Sequence, residues 1–183
     1  MEITVLGVLE FSSIAIGIQA MDSMVKAAPV RIIEAKTICP GKFVVLVAGD
    51  VASVEASLTA GKARKEPFLI DELFIPNLHR HIIPAITGSV ECEAWDAAGV
   101  IEAFSVTASI EAGDLAAKAA PVIITELRLA TGMGGKSYVK MMGSIDEVEA
   151  AMAAGVGFIK GKGLLCQEVI IPSPHPDIKP FFL

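Results

Sequence analysis

Gly7–Glu34 recurs 92 residues later as Gly99–Glu126, with 14 of 28 positions identical, and this recurrence limits the possible folds more than any other feature of the chain. The shared signature is Gly-Val-(Leu/Ile)-Glu, then Asp22 with Asp114, then Lys26-Ala27-Ala28-Pro29-Val30 with Lys118-Ala119-Ala120-Pro121-Val122. A two-residue insertion moves the offset to 94, where Gly41-Lys42 pairs with Gly135-Lys136, Gly49 with Gly143, Val54-Glu55-Ala56 with Val148-Glu149-Ala150, and Gly61 with Gly155. After a further shift, Ile75-Pro76 and His79 pair with Ile171-Pro172 and His175. Each copy is long enough to fold around its own core, and two copies are too few for a solenoid. The expected division is 1–92 and 93–183, near Cys92–Trp95, just before the second Gly-Val-Ile-Glu.

Each copy reads β-α-β-β-α-β, an α/β (α+β) plan. Thr4–Leu9 and Gly99–Ala103 are apolar runs of strand length. Ser12 or Ser13, and Ser105, are placed to cap the helices that follow, which stop at Ala-Ala-Pro. Val30–Thr37 and Val122–Leu129 are β-branched strands, each leading through a glycine loop to another strand, Phe43–Val47 and Tyr138–Met142. Asp50 and Ser144 cap second helices, and Ser144-Ile145-Asp146-Glu147 has the spacing of a capping box. Leu73–Ile75 and Cys166–Ile171 are expected as the final strands.

Composition narrows the function. The chain is 53% hydrophobic with a net charge of −6, yet its longest run free of Asp, Glu, Lys and Arg is Phe11–Met21, too short to span a bilayer. An acidic chain with 5% aromatics lacks the basic patches and stacking rings that bind nucleic acid. Met1-Glu2-Ile3-Thr4 lacks the basic and apolar segments of a leader. A cytoplasmic protein with reduced thiols is therefore expected, and three cysteines without a C-x-x-C pair do not make a disulfide framework. The apolar excess finds its most economical outlet between subunits.

Most candidate sites have a structural explanation. Ala130–Ser137 fits a loosened phosphate-loop pattern, but such a loop must end at a helix N-terminus, and Tyr138-Val139-Lys140-Met141 reads as a strand. His79-Arg80-His81 puts two imidazoles at i and i+2, yet the second copy keeps only His175, so a solvated loop is expected rather than a metal pair. Glu10 and Glu102 end equivalent strands, which points to a shared structural role. No motif supplies a nucleophile with its base, so the chain reads as a structural protein rather than an enzyme. Cys39 alone breaks the repeat symmetry: it stands in Thr37-Ile38-Cys39-Pro40-Gly41-Lys42, where the second copy has the thiol-free Gly132-Met133-Gly134-Gly135. A cysteine in a turn beside a lysine is a plausible thiolate ligand, and a threefold assembly would bring three copies to one axis. On spacing alone, an ordinary half-buried cysteine fits equally. Cys166 reads as a small core hydrophobe and Cys92 as incidental.

Gly7-Val8-Leu9-Glu10, Lys26-Ala27-Ala28-Pro29-Val30, Gly49-Asp50-Val51 and Val169-Ile170-Ile171-Pro172-Ser173-Pro174-His175 resemble the bacterial microcompartment shell domain, over both repeats. The Gly-Val-Leu-Glu strand at the start favours the unpermuted order of that domain. The tandem arrangement is similar to two-domain shell proteins that form trimers with sixfold-like outlines. Lys36–Phe43 and Gly132–Lys136 resemble the iron-sulfur branch of propanediol-utilisation shells. The resemblance implies that the Cys39 thiolates of three subunits hold one 4Fe-4S cluster at the central axis of a homotrimer. Pro40, Gly41 and Lys42 with Gly132, Met133, Gly134 and Gly135 would then form the central loops and close the pore. It further implies edge contacts through Lys26 and Lys118 to other shell proteins, while Asn77 and Ser173 stand where many shell domains have an arginine. Electron transfer or cluster traffic across the shell, with an encapsulated or cytoplasmic redox protein as partner, is the implied function. The alternative is a metabolite-conducting pore without a cluster.

Overall fold

The apolar run after Thr4 forms strand β1, Val5–Phe11, and every residue of it is buried, as a central strand covered on both faces must be. It is followed by α1 (Ile14–Ala27), β2 (Arg31–Ile38), β3 (Lys42–Gly49), α2 (Val51–Lys62) and β4 (Leu69–Ile75). The four strands form an antiparallel sheet in the order β2-β3-β1-β4. The second repeat runs β5 (Ala97–Ala103), α4 (Val106–Ala119), β6 (Ile123–Arg128), β7 (Ser137–Gly143), α5 (Ile145–Gly161) and β8 (Leu165–Pro172), in the same sheet order, β6-β7-β5-β8. Outside the repeat plan stand α3 (Ile82–Thr87) and a C-terminal turn, α6 (Lys179–Phe182), neither of which the sequence pattern predicts. The structure, a computed structural model, describes residues 4–182 other than 64, 89, 91 and 94. Met1–Ile3, on which the leader reading rests, and Ala94, within the expected boundary, lie outside them.

The chain falls into two compact units, Met1–Arg80 and His81–Leu183. Residues 81–92, assigned by sequence to the first repeat, carry α3, which packs on β6 and α4 of the second unit. The final strand of the first repeat begins at Leu69 rather than Leu73. Its start was hidden because Asp71 and Glu72 interrupt the apolar pattern.

The caps fall where the sequence puts them. Ser13 accepts from the Ile16 amide and Ser105 from the Ala108 amide, each cap worth about 1 kcal/mol. Ser12 instead donates its hydroxyl to the Phe68 carbonyl. Asp50 accepts from both the hydroxyl and the amide of Ser53, and these bonds hold its carboxyl below the usual carboxylate range. At Ser144 the capping box is complete, the Ser144 amide donating to Glu147 at 2.8 Å.

The first unit's core joins β1 and β3 (Val5, Leu9, Phe11, Phe43, Val45, Val47) to Ala20 and Met24 of α1 and Val54 and Leu58 of α2. A buried Leu or Phe in such a core contributes about 1.5–3 kcal/mol. The repeats solve one contact differently. A Cβ on Gly17 would lie 2.6 Å from the Phe43 side chain, so the bulky strand residue requires a bare helix position. At the equivalent place in the second unit, Ser109 and Ser137 share a buried hydrogen bond of 2.6 Å.

Helix α5 offers an internal control on helix spacing. A Cβ on Gly155 would stand 2.7 Å from the Ala112 carbonyl oxygen of α4, whereas one on Gly157 would meet nothing within 4 Å. Gly155→Ala is expected to destabilise the unit by about 1–3 kcal/mol through overpacking against backbone. Gly157→Ala is expected to stabilise it by about 0.5–1 kcal/mol through helix propensity. Chemical denaturation of the two variants checks the opposite signs.

Candidate functional site

Cys39-Pro40-Gly41 forms the tip of the β2–β3 hairpin, closed by the Ile38 and Lys42 pair. The Cys39–Pro40 peptide is cis and Gly41 has φ +71°, a left-handed conformation that favours glycine. A Cβ on Gly41 would meet nothing within 4 Å, so the tip borders open space. Cys39 is half-exposed and its thiol is free. The β6–β7 connection is longer: Gly132, Gly134 and Gly135 all have positive φ, as does Ala130, and the Lys136 amide donates to the Met133 carbonyl at 3.1 Å. Because this loop runs directly into strand β7, no helix N-terminus stands behind it to hold a phosphate.

One ion pair sits at the foot of each loop. Lys42 stands two residues before Val44, the cross-strand partner of Glu10, so the two side chains emerge on the same face of the sheet. Lys42 Nζ lies 2.7 Å from Glu10 Oε1, and Glu10 is 2% exposed. The same geometry recurs at Lys136 and Glu102, also 2.7 Å apart. The symmetric glutamates thus have the shared structural role expected of them. The lysine beside Cys39 was expected to favour a thiolate; its ammonium is instead engaged by Glu10, which offsets that charge.

The two feet differ in burial and in company. Glu102 is a third exposed on its side chain and accepts hydrogen bonds from Lys136 and from the Cys166 thiol, which together hold its carboxyl low. In return the Glu102 hydrogen bond pushes the Cys166 thiol up, away from reactive thiolate character. Cys166 is therefore not the core residue the sequence suggests. It is half-exposed on edge strand β8, where a β-bulge beside Glu102 interrupts the register.

A polar network beside this foot was not read from the sequence. Glu126 and Lys140 are cross-strand partners at 2.7 Å, and Glu126 also binds Arg128 at 2.5 Å and the Tyr138 hydroxyl at 2.8 Å. Burial pushes Glu126 up, but the bonds from Lys140 and Tyr138 outweigh it and leave its carboxyl low. Burial and the same glutamate push the Tyr138 hydroxyl up. The signal was the opposite charge at Glu126 and Lys140, which becomes informative only once the β6–β7 register is known.

The other sequence candidates are placed as follows. His79 and His81 are half-buried, and His81 occupies the N-cap position of α3, so the solvated loop expected there is partly enclosed. Among the described residues no group of three or more His, Cys, Asp or Glu is gathered as a metal site. Cys92, partly buried, packs against the small cluster of Ala98, Met142 and Phe182. Lys26 binds Asp22 at 2.7 Å and Lys118 binds Asp114, both one helical turn apart, the first pair exposed and the second largely covered. No described helix is long and apolar enough to cross a membrane.

Comparisons with known proteins converge on this architecture. The family model of the BMC (bacterial microcompartment) domain matches residues 5–78 and again 97–174. The bacterial microcompartment shell protein PduT of Citrobacter freundii is 39% identical over 173 residues, 94% of each chain. The shell protein EutM of Salmonella typhimurium is 37% identical over 86 residues, 47% of this chain and 83% of EutM. The crystal structure of a microcompartment protein from Desulfitobacterium hafniense DCB superposes with a TM-score of 0.91 at 43% identity, covering 97% of this chain and 99% of that one. The chain belongs to the BMC-domain family of bacterial microcompartment shell proteins and carries two copies of the domain in tandem.

Proposed function

We propose that this shell subunit assembles as a homotrimer and holds one 4Fe-4S cluster on the threefold axis through Cys39 of each chain. The carrying observation is the position of Cys39: a free, half-exposed thiol at the tip of a hairpin that borders open space. Among the described residues one chain gathers no ligand set of its own, so a cluster needs thiolates from several chains. A threefold axis supplies three equivalent ones. When bound, such a cluster provides one-electron chemistry, which would serve transfer between a redox protein inside the shell and one in the cytoplasm. The chain's own part is to present the thiol on a short loop, with Lys42 drawn back onto Glu10. The 39% identity to PduT across both repeats supports the reading. Anaerobically purified protein should be brown and contain iron and sulfide in equal amounts. Colourless, iron-free protein would overturn the cluster and favour a metabolite-conducting pore.

Lys26 and Lys118 are assigned to lateral contacts with neighbouring shell assemblies. Both stand in the last turn of equivalent helices, each steadied by an aspartate one turn earlier. Lys26→Asp or Lys118→Asp is expected to leave trimers intact while reducing sheet formation and incorporation into shells. Electron microscopy of assembled sheets checks this, and variants that tile like the parent would remove the assignment.

A further inference from the structure

The repeats differ in the length of their second helix. Aligned on their caps, Asp50 and Ser144, α2 ends at Lys62 while α5 continues for five more residues, Gly157–Gly161. The lengthened helix and edge strand β8 bound a groove of about 550 Å³, with Met152, Val156 and Gly157 on one wall and Glu168, Val169 and Ile170 on the other. Met152 and Val156 are buried along it, and Ala153 and Gly157 are exposed. Glycine weakens a helix interior, yet a Cβ on Gly157 would meet nothing within 4 Å, so no contact inside the chain requires its absence. Glu149 and Lys160 stand at the two ends of the helix wall. They are 11 residues apart, about 16 Å and three full turns, and so share one side of the helix. Both are exposed, and among the described residues neither side chain has a hydrogen bond or an ion pair. Nearby Lys162, by contrast, is held by Glu111 and lies over the Phe158 ring.

We infer that a second copy of this chain docks on this groove about a twofold axis, α5 against α5 and antiparallel. An apolar groove with charged ends marks an interaction site, and here the order of its charges selects the occupant. An acid at one end and a base at the other, with apolar residues between, is its own complement when turned through 180°. Glu149 then faces the partner's Lys160, Lys160 faces the partner's Glu149, and Ala153 and Gly157 meet in the middle. The bare Gly157 lets the two helices approach closely, which gives the glycine the contact it lacks within one chain. A twofold contact uses the same patch on both copies and stops at two. The first repeat cannot make it, because α2 ends before the positions equivalent to Gly157 and Lys160. The contact is separate from the threefold reading given above: it doubles whatever unit carries it, one chain or three.

Charge exchange tests the pairing. Glu149→Lys or Lys160→Glu turns two attractions into two repulsions across the contact, so by light scattering at low salt, where exposed charges are least screened, each variant is expected to show half the mass of the parent. Mixing the two variants should restore the doubled mass in a 1:1 complex, because the lysines of one then face the glutamates of the other. The double variant Glu149→Lys with Lys160→Glu should also recover it, since its pattern is reversed but still self-complementary. Both positions are exposed, and circular dichroism checks that the folds survive. If a charge variant fails to fold, Gly157→Leu, which fills the point of closest approach, should halve the mass instead. A parent with the same mass as the single variants, or single variants that do not recombine, would overturn the twofold contact. Whether the halved mass is that of three chains or of one, 19.1 kDa, bears only on the trimer reading.

Discussion

Cys39→Ser is expected to give a folded, colourless trimer that has lost its iron and its broad visible absorption. Three ligands disappear together, because symmetry repeats one substitution in every chain, and a serine hydroxyl does not replace a thiolate toward iron. The fold should be unaffected, since the thiol is free and half-exposed at a hairpin tip. Cys92→Ser and Cys166→Ser provide the controls and should stay coloured. At Cys166 a serine hydroxyl can still donate to Glu102, the bond that the thiol makes, so a small change in stability is expected there. Iron and sulfide analysis of the three variants decides the matter. Full iron content in the Cys39→Ser trimer would refute the axial site, and loss from all three would favour a site built within one chain.

The repeat makes most of the fold legible in the sequence. Sequence identity between Gly7–Glu34 and Gly99–Glu126 reflects a shared strand-helix-strand unit, and the serine and aspartate caps mark the helix starts because local hydrogen bonds decide them. What stayed hidden depends on long-range pairing. The early start of β4 is obscured because Asp71 and Glu72 lie on an edge strand with solvent on one side. Helix α3 is too short to display a period and forms against β6 and α4 rather than by its own propensity. Cys39 was conspicuous as a break in symmetry, but the partner of Lys42 was not, since Glu10 is 32 residues away in sequence. Only the β1–β3 register shows that Glu10 takes up the ammonium beside the thiol.

That register yields the second large expected effect. Lys42→Met should destabilise the first unit by about 3 kcal/mol or more, because it leaves the Glu10 carboxylate buried without its counter-ion. Glu10 Oε1 loses its bond to Lys42, and among the described residues Oε2 accepts no hydrogen bond to begin with. Lys136→Met removes the repeat-equivalent ion pair, yet Glu102 remains partly solvated and keeps the Cys166 hydrogen bond, so little loss is expected. The double variant Glu10→Leu with Lys42→Met should recover most of the stability, since a buried ion pair replaced by apolar side chains of similar volume is often neutral or better. Denaturant midpoints of the two single variants and the double variant measure these differences. A Lys42→Met protein as stable as Lys136→Met would show that Glu10 is reached by water, and that the lysine below the cysteine loop is not fixed by a buried charge.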